Sequence, residues 1–137
     1  MNGILEKYGA IAGNDVVEHL RQLAEPLKGI KLIHVNSTKL GGGVAEILQK
    51  MVPLMQDLGI DASWEVIKGE PDFYHCTKRF HNALQGNQEE IPAHLLQIFE
   101  KTNCQTAEEM RESLKFADIV IVHDPQPLAI LKYIPER

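Results

Sequence analysis

The sequence predicts an α/β fold, a parallel sheet with helices on both faces. Three observations lead there. Residues 30–36, 61–68 and 118–125 are short apolar, β-branched runs bounded by turn residues, as buried strands are. Stretches of helical period, each ten residues or longer, lie between them. A strand–helix–strand order of this length needs a right-handed crossover, and that makes the strands parallel. With 137 residues the chain has one domain's length, and at that size neither disulfides nor a structural metal is required.

From Asn14 the sequence NDVVEHLRQLAEPLKG reads as a helix. Asn14 is placed to cap it, Asp15 suits the positive helix end, and Val16, Leu20, Leu23 and Leu27 recur at helical spacing. Pro26 and Gly29 close it, and the first strand, IKLIHVN, follows. STKLGGG is a loop. Beyond it Val44, Ile47, Leu48, Met51, Met55 and Leu58 form one helical stripe, which Pro53 bends and Gly59 stops. DASWEVIK is the second strand. Residues 71–85 form a helix opened by Pro71, with Phe73, Thr77, Phe80 and Leu84 on one face and Gly86 at its end. Two shorter helices are expected next, IPAHLLQIFEKTN and TAEEMRESLKFA, the second with Thr106 and Glu109 in capping-box spacing. DIVIVHDP is the third strand, and Pro125 or Pro127 opens a last helix. Residues 1–137 read as a single domain without repeats or linkers.

Fourteen Lys and Arg against nineteen Asp and Glu leave a net charge of −5, which argues against a nucleic-acid partner. No apolar run approaches the roughly 20 residues that cross a bilayer, and MNGILEKYGA lacks the pattern of a secretory signal. Cys76 and Cys104 give neither a disulfide framework nor a paired zinc spacing. A cytoplasmic domain is expected.

In open parallel sheets ligands bind beyond the carboxyl ends of the strands, where three loops should converge. The first carries Gly41, Gly42 and Gly43 at a helix start. It reads equally as a phosphate cradle or as a plain turn needing positive φ. Glu46 breaks the dinucleotide fingerprint, and no phosphate-loop pattern is present. The third loop, His123-Asp124-Pro125-Gln126-Pro127, is the sharper signal, since His and Asp have little packing reason to end an apolar strand. Both can bond sugar hydroxyls, and Asp can act as a base, whereas the plain alternative is an Asp–Pro turn that caps the next helix. Trp64, the single tryptophan, shares a strand side with Lys68 and leads toward the crevice, where it could stack on a sugar, although its place in a strand interior favours core packing. His81 and Asn82 could line a pocket or face solvent. His75 and His81 point in different directions, so no metal site is expected on their helix. His34, inside the first strand, reads as a satisfied core histidine.

Taken together, HVNSTKLGGGVAEIL, SWEVIKG, FHNALQG and IVIVHDPQP resemble the N-terminal domain of archaeal and bacterial trehalose synthases, over roughly Val35 to Leu128. These are retaining glycosyltransferases of family 4. The resemblance implies the Rossmann-like N-terminal half of a GT-B fold and glucose transfer from an NDP-glucose to glucose, giving α,α-trehalose. It puts Gly41–Gly43 near the donor diphosphate, makes Asp124 and His123 the catalytic candidates, and assigns Trp64, Lys68, His81, Asn82 and Gln126 to the acceptor. No cofactor and no metal are implied. Family members add further strands and a C-terminal donor domain, so the chain is expected to be truncated and silent alone with a nucleotide sugar. Its expected partners are glucose, trehalose, NDP-glucose and that donor domain, with self-association at an open sheet edge. Sucrose- or glycogen-type transferases and a non-catalytic sugar- or partner-binding module remain the alternatives.

Overall fold

The computed structural model describes residues 3–137. Two helices, α1 (Ile4–Ala12) and α2 (Asn14–Ala24), precede the first strand, β1 (Lys31–Asn36). There follow α3 (Gly43–Asp57), β2 (Asp61–Val66), α4 (Pro71–Leu84), α5 (Ala93–Lys115) and β3 (Ile119–Val122). A 3-10 turn, Ile130–Tyr133, ends the series. The sheet is parallel throughout, in the order β2-β1-β3. Its central strand is the most buried because both of its edges are paired, while β2 and β3 each keep one open edge.

The helices divide between the two faces. Leu32 and Ala62 point to the side covered by Leu48 and Val52 of α3, with Trp64 and Ile121 at its margin. Ile33 and Val35 point to the opposite side, a larger core made with Phe73 and Cys76 of α4, Leu95, Phe99 and Leu114 of α5, and Ile130 and Ile134. Period-two alternation along β1 produces this split, and it sends His34 and Asn36 to the α3 side with Leu32.

Several local expectations are corrected. The segment before Gly13 is a helix, and its first turn is held from outside: the Leu5 amide donates to the Asp57 carboxylate at the end of α3. The first four amides of a helix lack internal partners, and Asp57 serves one of them. Asn14 is the first residue of α2 and caps nothing, the cap position falling on Gly13. The buried positions of α2 are Val17 and Ala24, while Val16 and Leu23 are exposed. Ile47 likewise faces solvent, and Ala45, Leu48 and Val52 are the buried positions of α3.

The two helices expected between 91 and 117 are one continuous helix. Thr106 sits buried within it, not at a cap. No Gly or Pro interrupts residues 93–117, and buried Asn103 donates Nδ2 to the Phe99 carbonyl within the helix. After β3 the chain forms turns and the 3-10 segment in place of the expected helix. That segment is fastened to α5 by Tyr133 Oη and Lys132 Nζ, both donating to Glu100. The Tyr133 hydrogen bond is the chief reason the Glu100 carboxyl lies below its ordinary value.

Candidate functional site

Because all three strands run the same way, the loops that follow them share one end of the sheet. The first, residues 37–42, turns sharply into α3. Gly41 and Gly42 have φ of 73° and 84°, where a side chain is strained, whereas Gly43 has an ordinary φ. Apart from the adjoining backbone, no atom of the described residues lies within 4 Å of where a Cβ would stand on any of the three. Glycine is therefore required at Gly41 and Gly42 for backbone conformation, and the backbone at the start of α3 stays uncovered. The same open backbone suits an anion, which the positive end of α3 would favour.

Asp124, in the third loop, is the one non-glycine residue with positive φ among the described residues, at 65°. Its carboxylate is exposed and makes no hydrogen bond within the described residues, and no helix follows for it to cap. It borders two clefts. One, about 280 Å³, is lined by Asn36, Thr38, Gly41–Gly43 and Asp124. The other, about 400 Å³, lies between α4 and the third loop and includes Tyr74, Thr77, His81, Asp124 and Gln126. Gln126 also lines that cleft, but its Oε1 atom is buried, without a hydrogen-bond partner among the described residues. The Gln126 backbone carbonyl is fixed by Asn103 Nδ2 at 3.1 Å, so a buried polar group of α5 steadies the loop.

The remaining sequence-derived candidates divide. Lys68 borders a third, wider cleft of about 600 Å³ with Ser37, Thr38, Lys39 and Tyr74. His81 is exposed, its Nε2 2.9 Å from the Gln85 amide. Asn82 lines none of these clefts, since its Nδ2 donates to Glu89 at 2.8 Å and so holds the loop after α4. Trp64 also stays outside them. Half-buried against the α3-side core, it donates Nε1 to Asn36 Oδ1 at 2.8 Å, and Lys39 Nζ lies 5.8 Å from its ring. Its place is beneath the crevice, anchoring the end of β1.

Two residues gain importance that the sequence did not show. Asn36 is buried at the end of β1 and accepts from both Trp64 Nε1 and the Thr38 amide, which starts the glycine loop in a fixed direction. His34 is wholly buried, and its Nδ1 lies 2.9 Å from His123 Nε2. Burial, and then the nearby His123, hold its pKa below the ordinary 6.5. Polar residues in an otherwise apolar strand were the available signal, but pairing across strands cannot be read from one of them. Among the described residues no group of three or more His, Cys, Asp and Glu could hold a metal, and no helix is long and apolar enough to cross a membrane.

Fold and crevice define a Rossmann-like α/β half-domain of the kind that presents ligands at the carboxyl ends of its strands. Residues 34–137 match the family described as trehalose synthase, N-terminal domain. The chain belongs to that family. It is 45% identical over 134 residues to the trehalose synthase of Thermococcus litoralis, a match covering 97% of this chain and 32% of that protein. With the trehalose synthase of Rubrobacter xylanophilus the identity is 42% over 129 residues, covering 94% and 31%. A trehalose phosphorylase of Pleurotus pulmonarius is 30% identical over 137 residues, covering 94% and 18%. The chain thus spans about a third of the length of the trehalose synthases it matches.

Proposed function

We propose that this chain is the acceptor-side half of a cytoplasmic GT-B glycosyltransferase that moves glucose from an NDP-glucose to glucose, forming α,α-trehalose with retention. The observation that carries it is Asp124, an exposed carboxylate on a positive-φ backbone with no hydrogen-bond partner among the described residues, shared by the glycine-loop cleft and the His81–Gln126 cleft. A carboxylate between a phosphate-compatible helix start and a polar cleft suits a sugar whose hydroxyls bridge the two. There it can orient the acceptor hydroxyl or take its proton. His81 adds a polar group to the second cleft, and Lys68 stands on the wider cleft beside it.

The comparisons support the acceptor side in particular. Trehalose synthases and a trehalose phosphorylase both align with this same stretch, and what their names share is trehalose. A region common to both is best assigned to the sugar they have in common. The phosphorylase likeness also favours a second reading, in which the same half serves an enzyme whose other reactant is phosphate.

The donor's nucleotide is assigned to a second domain. The 137 residues are therefore proposed to bind sugar without turning over NDP-glucose, because the leaving diphosphate needs donors beyond one glycine loop. Calorimetric titration with glucose, trehalose and uridine-diphosphate glucose tests this. Binding of glucose or trehalose with Kd on the order of millimolar, and little for the nucleotide sugar, is expected. No binding of either free sugar overturns the acceptor assignment.

A further inference from the structure

His34 of β1 and His123 at the end of β3 face each other across neighbouring strands, and their protons can be assigned by elimination. The rings stack with centroids 5.2 Å apart and planes 27° from parallel, and His34 Nδ1 lies 2.9 Å from His123 Nε2. One hydrogen fits between those two nitrogens, so one ring donates and the other accepts. The second nitrogen of His34, Nε2, is buried without a partner among the described residues. A hydrogen there would be a buried N–H with nothing to receive it, whereas a bare lone pair leaves only an acceptor unfilled, which folded proteins tolerate more readily. His34 therefore carries its hydrogen on Nδ1 and donates it. His123 accepts at Nε2, and in its neutral form it must then hold its own hydrogen on Nδ1. Burial pushes the His34 pKa down, which disfavours a second proton on that ring.

We propose that His34 is a positioning residue: by donating from Nδ1 it locks His123 in the Nδ1–H form, so that His123 offers a ligand oxygen a hydrogen-bond donor and not a base. His123 is half-buried and directly precedes Asp124, which borders both clefts, although the His123 ring itself lines neither. The two neighbours then divide the work on a sugar hydroxyl, Asp124 accepting from it and His123 donating to it. Only the identity of the ligand rests on the acceptor function proposed above. The tautomer follows from the two rings alone.

The test is long-range proton–nitrogen NMR on the 137-residue chain with nitrogen-labelled histidine, at a pH near 7.5. Both His34 and His123 should carry hydrogen on Nδ1, unlike exposed His19 and His94. His123 found with hydrogen on Nε2 overturns the proposal without any variant being made. In His34→Leu, His123 should lose its fixed tautomer, and in His34→Asn, which restores an N–H donor at similar reach, it should regain it. An unchanged His123 tautomer in His34→Leu overturns the proposal as well. Added glucose should move the His123 ring nitrogens, and its affinity should fall roughly three- to tenfold in His34→Leu and recover in His34→Asn. If glucose moves the Asp124 and Gln126 amides but not the His123 ring, this proposal fails and the acceptor assignment stands. If no crevice signal moves, the acceptor assignment fails with the donor role of His123, and the ring spectra still judge the lock by themselves.

Discussion

Substitutions at Asp124 separate its backbone from its carboxylate. At φ of 65° most side chains cost about 1–2 kcal/mol, and Asp and Asn cost less because they tolerate the left-handed region. Asp124→Asn should thus leave stability within about 0.5 kcal/mol of the parent, as expected for an exposed group without partners. Asp124→Val, β-branched at the same φ, should cost about 2 kcal/mol. For a chain of this length 1 kcal/mol moves Tm by about 3–4 °C, so Asp124→Val should melt roughly 7 °C lower and Asp124→Asn within about 2 °C. Sugar binding should follow the other order. Losing a charge-assisted hydrogen bond removes about 1.5 kcal/mol, roughly tenfold in glucose affinity for Asp124→Asn despite its intact fold. Scanning calorimetry and glucose titration of the same samples give both numbers. If Asp124→Asn binds glucose like the parent, the carboxylate has no part in the site. If it melts as low as Asp124→Val, the side chain is a structural turn cap and the assignment of the crevice fails with it.

Three further outcomes are expected. Gly42→Ala should cost about 1 kcal/mol because φ is 84°, whereas Gly43→Ala, at a helix start with open space, should be neutral or slightly stabilising; urea unfolding distinguishes them, and equal losses would contradict the backbone assignment. Asp57→Ala removes the acceptor for the Leu5 amide, at a cost of about 1 kcal/mol, and should raise hydrogen exchange across Ile4–Ala12; unchanged exchange there would show that α1 does not depend on it. Because His34 is held below its ordinary 6.5, the unfolded chain takes up a proton there before the folded one does. The folded state is therefore unpenalised above about pH 6.5 and loses stability as pH falls below it, by no more than ~1.4 kcal/mol per unit. His34→Leu should flatten that part of the stability curve between about pH 6.5 and 5.5, and an unchanged slope would mean another group titrates.

Strand identity and the parallel order were legible because apolar runs and crossover lengths are local signals that one sequence displays in full. The faces of the outer helices were less so. Leu23 and Val16 are as apolar as Val17, and only the position of α1 decides which of them is covered. Thr106 and Glu109 carry a helix-start pattern, yet the Ile33–Val35 side of the sheet offers a long apolar surface, and Ala107 and Leu114 use it without a break. Tertiary burial overrides a cap of about 1 kcal/mol. In the crevice, Asp124 and the glycines were visible by residue type and strand position. Trp64, Asn82 and His34 were not assignable, since their partners Asn36, Glu89 and His123 lie 28, 7 and 89 residues away.

The contacts of Trp64 and His34, together with that of Asn103, also explain why the crevice can be rigid although it is made of loops. Trp64 on β2 holds Asn36 on β1, and Asn36 in turn holds the amide that begins the glycine loop. His34 on β1 holds His123 on β3, next to Asp124, while Asn103 of α5 holds the backbone two residues further on. The first and third loops are therefore each held by a side chain from a strand or helix, the first also by the Thr38–Leu40 hydrogen bonds within it. Buried polar groups cost free energy unless paired, so placing them here is expensive unless the geometry they fix is needed. A sugar presents hydroxyls of nearly identical chemistry, and a site can distinguish them only by where its donors and acceptors stand. Removing the Trp64 donor, as in Trp64→Phe, would leave every crevice residue in place and blur only their positions. Its effect should accordingly fall on the choice between sugars more than on the fold.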